Sequence, residues 1–114
     1  MNREIEGQRE FLKVLWGHLV RRGLDPVILR HVDMFTKGHP DTSVTANSKT
    51  IWFEFKRWDG LLSASQEENA KKMGNMWVII FLETGEVRLN NLALTLRYEL
   101  KNYIDAALHF VTYF

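Results

Sequence analysis

Seven consecutive apolar residues, Met76-Trp77-Val78-Ile79-Ile80-Phe81-Leu82, set the terms on which this chain can fold. The run is far too short to span a bilayer and has no polar side, so it reads as a strand covered on both faces. What precedes it agrees. Ile51 to Lys56 alternates strictly, placing Ile51, Phe53 and Phe55 on one face and Trp52, Glu54 and Lys56 on the other. Between these stretches Ser63 stands three residues before Gln66, the spacing of a capping box. That spacing predicts a helix running through Met73 and ended by Gly74. A strand, a crossover helix and a buried strand make a βαβ unit whose strands run parallel.

The alternating strand also carries chemistry. Residues two apart on a strand lie about 6.5–7 Å apart, so Glu54 and Lys56 can both reach one phosphate and its attacking water. Upstream, Asp41 to Ala46 has strand character and Asn47-Ser48 suits a tight turn. A hairpin of this kind could set Asp41 beside Glu54, with its register left open by the sequence. Adjacent carboxylates repel, and a hard divalent cation, Mg²⁺ with Mn²⁺ as a substitute, relieves that repulsion while taking oxygen ligands. Lys56 would orient water or offset charge developing on the phosphate. Taken singly, each element has a plain reading. Glu-Phe-Lys is most often the solvated side of a strand, Pro40-Asp41 most often a turn, and capping alone accounts for Gln66.

Taken in order, Gly38 to Asp41, Glu54 to Lys56, Ser63 to Gln66, and Gly74 before the buried strand resemble the PD-(D/E)xK nuclease superfamily. More narrowly, the set is similar to the VRR-NUC type of small nuclease domain and to Holliday junction resolvase-like proteins. The resemblance covers roughly residues 4–89. It implies a restriction-endonuclease-like αβββαβ core: a mixed α/β fold with a four- to five-stranded sheet flanked by helices. It further implies a metal-dependent DNA endonuclease that cuts branched substrates such as four-way junctions or flaps. Asp41 and Glu54 would then hold the metal with the Phe55 carbonyl, Lys56 would stand beside it, and Gln66 would position Lys56 or the phosphate. The pattern also calls for a helix glutamate. Glu10 fits the family's helix length to Gly23 best, with Glu6 second and Glu4 in the same acidic first turns, which equally favour a helix dipole. After this helix the chain departs from the family: a single Gly23 precedes Leu24-Asp25-Pro26, so Arg30 or His31 would take the place of the family's basic residue.

At 114 residues and 46 % hydrophobic, the chain suits one compact domain, residues 1–114, and is neither disordered nor low in complexity. Without cysteine it can build neither disulfides nor thiolate metal sites, and its four histidines lack zinc spacing. The charged N-terminus shows no secretory signal, so a soluble, cytoplasmic protein without membrane contact is expected, of a size that would suit a phage. A net charge of +1 is a weak pointer to nucleic acid. The basic residues nevertheless gather around the motifs, and Lys37, His39, Arg57, Lys71 and Lys72 are the candidate phosphate contacts. Trp58 could stack on a base, although packing on a hydrophobic rim is the commoner fate of such a residue. After Asn90-Asn91, Leu96, Leu100, Tyr103, Ile104, Ala107, Leu108 and Val111 recur at helical spacing and predict a C-terminal helix within residues 90–114. Its aromatic end suggests a two-fold homodimer. Two alternatives stand beside the nuclease: a nucleic-acid-binding domain of the same fold that does not cut, and a protein-interaction module.

Overall fold

The computed structural model describes residues 3–31, 38–60, 62–92 and 96–114. Along the chain come α1 (Arg3–Arg21), β1 (Val27–Arg30), β2 (Thr42–Ala46), β3 (Lys49–Arg57) and α2 (Ala64–Met73). Then follow β4 (Met76–Phe81), β5 (Val87–Asn91), β6 (Leu96–Leu100) and α3 (Tyr103–Val111). The strands form one sheet in chain order. β3 and β4 are parallel and the other neighbouring pairs antiparallel. This is the expected mixed α/β architecture, and the parallel pair is the one that α2 bridges, because parallel neighbours need a crossover.

Local chemistry places each of these elements. Asn47 and Ser48 both take positive φ, 53° and 62°, in a two-residue turn that pairs Ala46 with Lys49. Such turns follow the natural twist of a hairpin. At the start of α2, Gln66 N–H donates to Ser63 Oγ at 3.2 Å and Ser63 N–H donates to Gln66 Oε1 at 2.9 Å, completing the capping box.

Helices α1 and α3 cover one face of the sheet, where Phe11, Leu15, Leu19, Phe53, Phe55 and Phe110 are buried together. Phe53 meets Phe11 edge-on at 5.3 Å and Phe110 at 4.9 Å, the arrangement aromatic rings favour. Helix α2 covers the other face more sparely, through Ala70 against Met76 and Val78, with Trp52 and Ile80 at the margin. The alternation of β3 therefore holds: its phenylalanines face the large core and Trp52, Glu54 and Lys56 face the α2 side.

The C-terminal quarter differs from expectation. Asn90 and Asn91, after which the C-terminal helix was expected, are ladder residues of β5, and Leu96–Leu100 forms β6, giving six strands instead of four or five. Helix α3 starts only at Tyr103, capped by Asn102, whose side chain accepts the Ile104 and Asp105 N–H groups at 3.0 Å each. The sequence Leu-Arg-Tyr-Glu-Leu satisfies both periods, because Leu96 and Leu100 are four apart whether the chain coils or alternates through Tyr98. Pairing with the open edge of β5 decides between them. Phe110 and Phe114 are buried in the chain's own core, so much of the apolar surface that suggested a homodimer is already covered. Among the described residues, no helix is long and apolar enough to cross a membrane.

Ser48 holds a left-handed conformation that costs a side chain roughly 1 kcal/mol relative to glycine. Ser48→Gly should therefore stabilise the protein by about 0.5–1 kcal/mol. Urea unfolding will test this, and an unchanged or lower midpoint would show that the turn is not strained.

Candidate active site

The hairpin register builds the site. Thr42 lies opposite Phe53, so one step further out Asp41 comes beside Glu54. Phe55 N–H, beyond the end of β2, donates to Asp41 Oδ2 at 3.1 Å and fixes that carboxylate. Glu54 is 2 % exposed. Lys56 Nζ stands 3.8 Å from Glu54 Oε2, while Glu54 Oε1 is buried with no hydrogen-bond partner among the described residues. Burial, then the charge of Asp41 and a hydrogen bond shared with it, push the Glu54 carboxyl up to about 8, against an opposing pull from Lys56. At neutral pH, without a cation, the Glu54 carboxyl thus holds its proton. A buried oxygen without a partner, in a site made of hard oxygen donors, suits a divalent cation. The Phe55 carbonyl leaves the strand on the same side as its N–H, toward Asp41, and offers a further oxygen. Among the described residues, no three His, Cys, Asp or Glu side chains converge tightly enough to hold a metal by themselves.

Of the three glutamates the sequence offered on this helix, Glu4 is the one whose carboxyl is coupled to the Asp41–Glu54 pair. Burial and the charge of Asp41 raise the Glu4 carboxyl, and Lys56 and Arg57 act on it in the opposite sense. Glu54 in turn feels Glu4. Glu10 lies instead in a groove with Lys13, Val14 and Ile104, and Glu6 in another with Phe81 and Tyr103. The reason is helical phase. Glu4 heads the stripe Gln8, Phe11, Leu15 and Leu19, all buried against the sheet, with Gln8 donating to Thr42 Oγ1 at 3.5 Å. Glu10 sits about 120° around the helix from Glu4 at roughly 100° per residue.

The remaining candidates divide. Gln66 is engaged in its cap, with Oε1 taken by Ser63 N–H. Arg57 is exposed at the end of β3 and paired with Asp59 at 3.2 Å. His39 is exposed before Pro40, its ring stacked 6.3 Å from His31. Lys71 and Lys72 are in the last turn of α2, away from the helix start that faces the Gly38 loop, and Lys72 pairs with Glu68 at 3.2 Å. Lys37 lies outside the described residues. Gly38 is a close-approach position: its φ is +80°, its carbonyl accepts from Asn69 Nδ2 at 2.9 Å, and a Cβ there would fall 2.6 Å from the Ser65 backbone. This contact ties the segment leading into Asp41 to the start of α2.

One group had only been named as a stand-in for a basic residue. His31 N–H donates to the Asp41 carbonyl at 2.8 Å, its Nε2 meets Ser43 Oγ at 2.8 Å, and its ring lies 4.9 Å from Trp52. It buttresses Asp41 from the β1 side. The alternation Asp41, Ser43 on the face shared with Trp52 and Glu54 was the signal for it, once the register is known.

The sequence matches no protein-family model and no curated protein. Among solved structures, the chain is similar to Hjc, a Holliday junction resolvase from the archaeal hyperthermophile Archaeoglobus fulgidus. The two share 16 % identity with a TM-score of 0.49, over 87 % of this chain and 98 % of that one.

A pH test follows from Glu54. Its carboxyl binds a proton more tightly in the folded chain than at the ordinary value of 4.5, so its contribution to stability is full below about 4.5 and is lost as pH rises toward 8. Without divalent metal, the melting temperature of the wild type should fall by several degrees across that window relative to Glu54→Gln, which cannot ionise. Parallel melting profiles for the two proteins would overturn the assignment.

Proposed function

We propose that the chain is a metal-dependent nuclease that hydrolyses phosphodiester bonds in DNA, with a preference for branched substrates such as flaps and four-way junctions. The observation that carries the proposal is the buried Glu54 carboxyl beside the half-buried Asp41, with Lys56 at 3.8 Å from Glu54. A carboxyl withdrawn from water beside a second one stores an electrostatic deficit that a cation can relieve. Asp41, Glu54 and the Phe55 carbonyl would hold Mg²⁺ or Mn²⁺, with Glu4 adding negative charge at the rim. When bound, the cation supplies the positive charge that polarises the scissile phosphate and its attacking water.

The protein's own groups account for the rest. Ligation requires that the proton on Glu54 leave, so cation affinity rises with pH through the range set by Glu54. The Phe55 N–H keeps Asp41 from turning away, which spares the site the cost of ordering that carboxylate during the reaction. Lys56 holds an ammonium on the same strand face, placed to offset charge that builds on a non-bridging oxygen as the phosphorus is attacked. DNA as substrate is supported by the ordered Pro-Asp, Glu-x-Lys and Ser-x-x-Gln set, which resembles the nuclease superfamily. Preference for branches follows from that same resemblance.

Cleavage of end-labelled flap, four-way junction and linear duplex DNA is expected in Mg²⁺ or Mn²⁺ and absent in EDTA. Asp41→Ala and Lys56→Ala should each slow cutting by about a hundredfold or more while remaining folded. Glu4→Ala should cost more activity than Glu10→Ala. Cutting that survives EDTA, or persists in Asp41→Ala, would sink the proposal.

A further inference from the structure

We infer that Trp58 is a stacking platform that holds an unpaired base next to the scissile phosphate; the inference rests on the nuclease reading above. Trp58 is 52 % exposed, so about half of the indole is open to solvent and available to a ligand. It is nonetheless held in place. Residues 57–60 close a turn in which Gly60 N–H donates to the Arg57 carbonyl at 2.9 Å, and Arg57 Nε pairs with Asp59 at 3.2 Å across the tryptophan. Gly60 seats this turn directly on the site: a Cβ there would lie 3.0 Å from Lys56 Cβ and 3.2 Å from the Arg57 carbonyl. Trp58 therefore stands two residues from Lys56 in a closed turn, within roughly 7 Å along the backbone.

That separation suits one substrate class. Consecutive bases rise about 3.4 Å along a strand, so a nucleotide whose phosphate lies at Lys56 places its own base, or the next, within reach of the indole. In continuous duplex both faces of an internal base are already stacked, and the indole has nothing to gain. An unpaired base at a flap or branch has a free face, and a rigid aromatic flanked by a cation is the group that takes it. The other exposed aromatic residues among those described do not share this placement: Trp16 lies on α1, Tyr98 on β6 and Tyr113 after α3. Trp58 thus acts in choosing the substrate's shape and not in the chemistry.

The test uses the full chain with flap and linear duplex DNA in Ca²⁺, the flap carrying 2-aminopurine at its first unpaired position. Wild type should quench the probe, and Trp58→Ala should lose the quench and bind the flap on the order of 5- to 100-fold more weakly, with a smaller loss on linear duplex. Trp58→Phe should restore part of both, and matched melting temperatures will exclude unfolding. Equal losses on flap and duplex, or a quench that survives Trp58→Ala, would overturn the inference. Failure of the nuclease reading looks different: a Trp58-dependent quench in wild type with no cutting in Mg²⁺ or Mn²⁺ upholds the stacking and removes the catalysis.

Discussion

The register of one hairpin governs everything that makes this site. Strand side chains alternate with a period of two, so a slip of one residue between β2 and β3 would turn Glu54 into the phenylalanine core and a phenylalanine out toward α2. The two-residue turn at Asn47-Ser48 forbids the slip by pairing Ala46 with Lys49, and each later pair follows, ending with Asp41 beside Glu54. The large core then enforces the same register from the other side, since Ile51, Phe53 and Phe55 have a dry place only beneath α1 and α3. Turn chemistry and hydrophobic burial agree on one alignment, and the carboxylate pair results from it.

That pair is held against its own electrostatics. Glu54 is buried beside Asp41 and within the field of Glu4, with Lys56 as the compensating charge. The aromatic cluster of Phe11, Phe53 and Phe110 lies on the opposite face of the same strand, and each fully buried phenylalanine contributes roughly 1.5–3 kcal/mol. A strand anchored this firmly on one side can carry an unfavourable charge arrangement on the other. Strain of this kind is found where it is used.

How far the sequence reveals the site can be judged residue by residue. The helix α2, its Ser63 cap and the parallel pair followed from periodicity and capping alone, because those signals are local and consistent with one another. The Asp41–Glu54 pairing was within reach as well: granting a two-residue loop at Asn47-Ser48 fixes it by counting. Glu4 stood third among the three helix glutamates because helix length was weighed in place of phase, although the stripe through Gln8, Phe11, Leu15 and Leu19 points back to it. β6 was not legible in the same way. Leu96 to Leu100 fits coil and alternation equally, and the exposed edge of β5 that settles the matter is a tertiary fact. Nor does any local pattern announce that His31 would reach Ser43, since that contact depends on how β1 pairs with β2.

The location of the site has a structural cause in the sheet itself. β3 continues to Arg57 beside β4, while on its other side β2 pairs no further out than Thr42, so β3 overhangs its antiparallel neighbour. An overhang leaves backbone groups of a central strand without ladder partners, and these must find others. The Phe55 N–H takes the Asp41 carboxylate, and the neighbouring carbonyl is left facing the same space. Two acidic side chains, the Phe55 carbonyl and a lysine thereby meet where the sheet changes from antiparallel to parallel pairing. Extending β2 by two residues would satisfy the backbone and erase the site. The end of β2 at Pro40-Asp41 serves that purpose: proline has no N–H to offer the ladder, and the aspartate that follows substitutes a side chain for the missing strand.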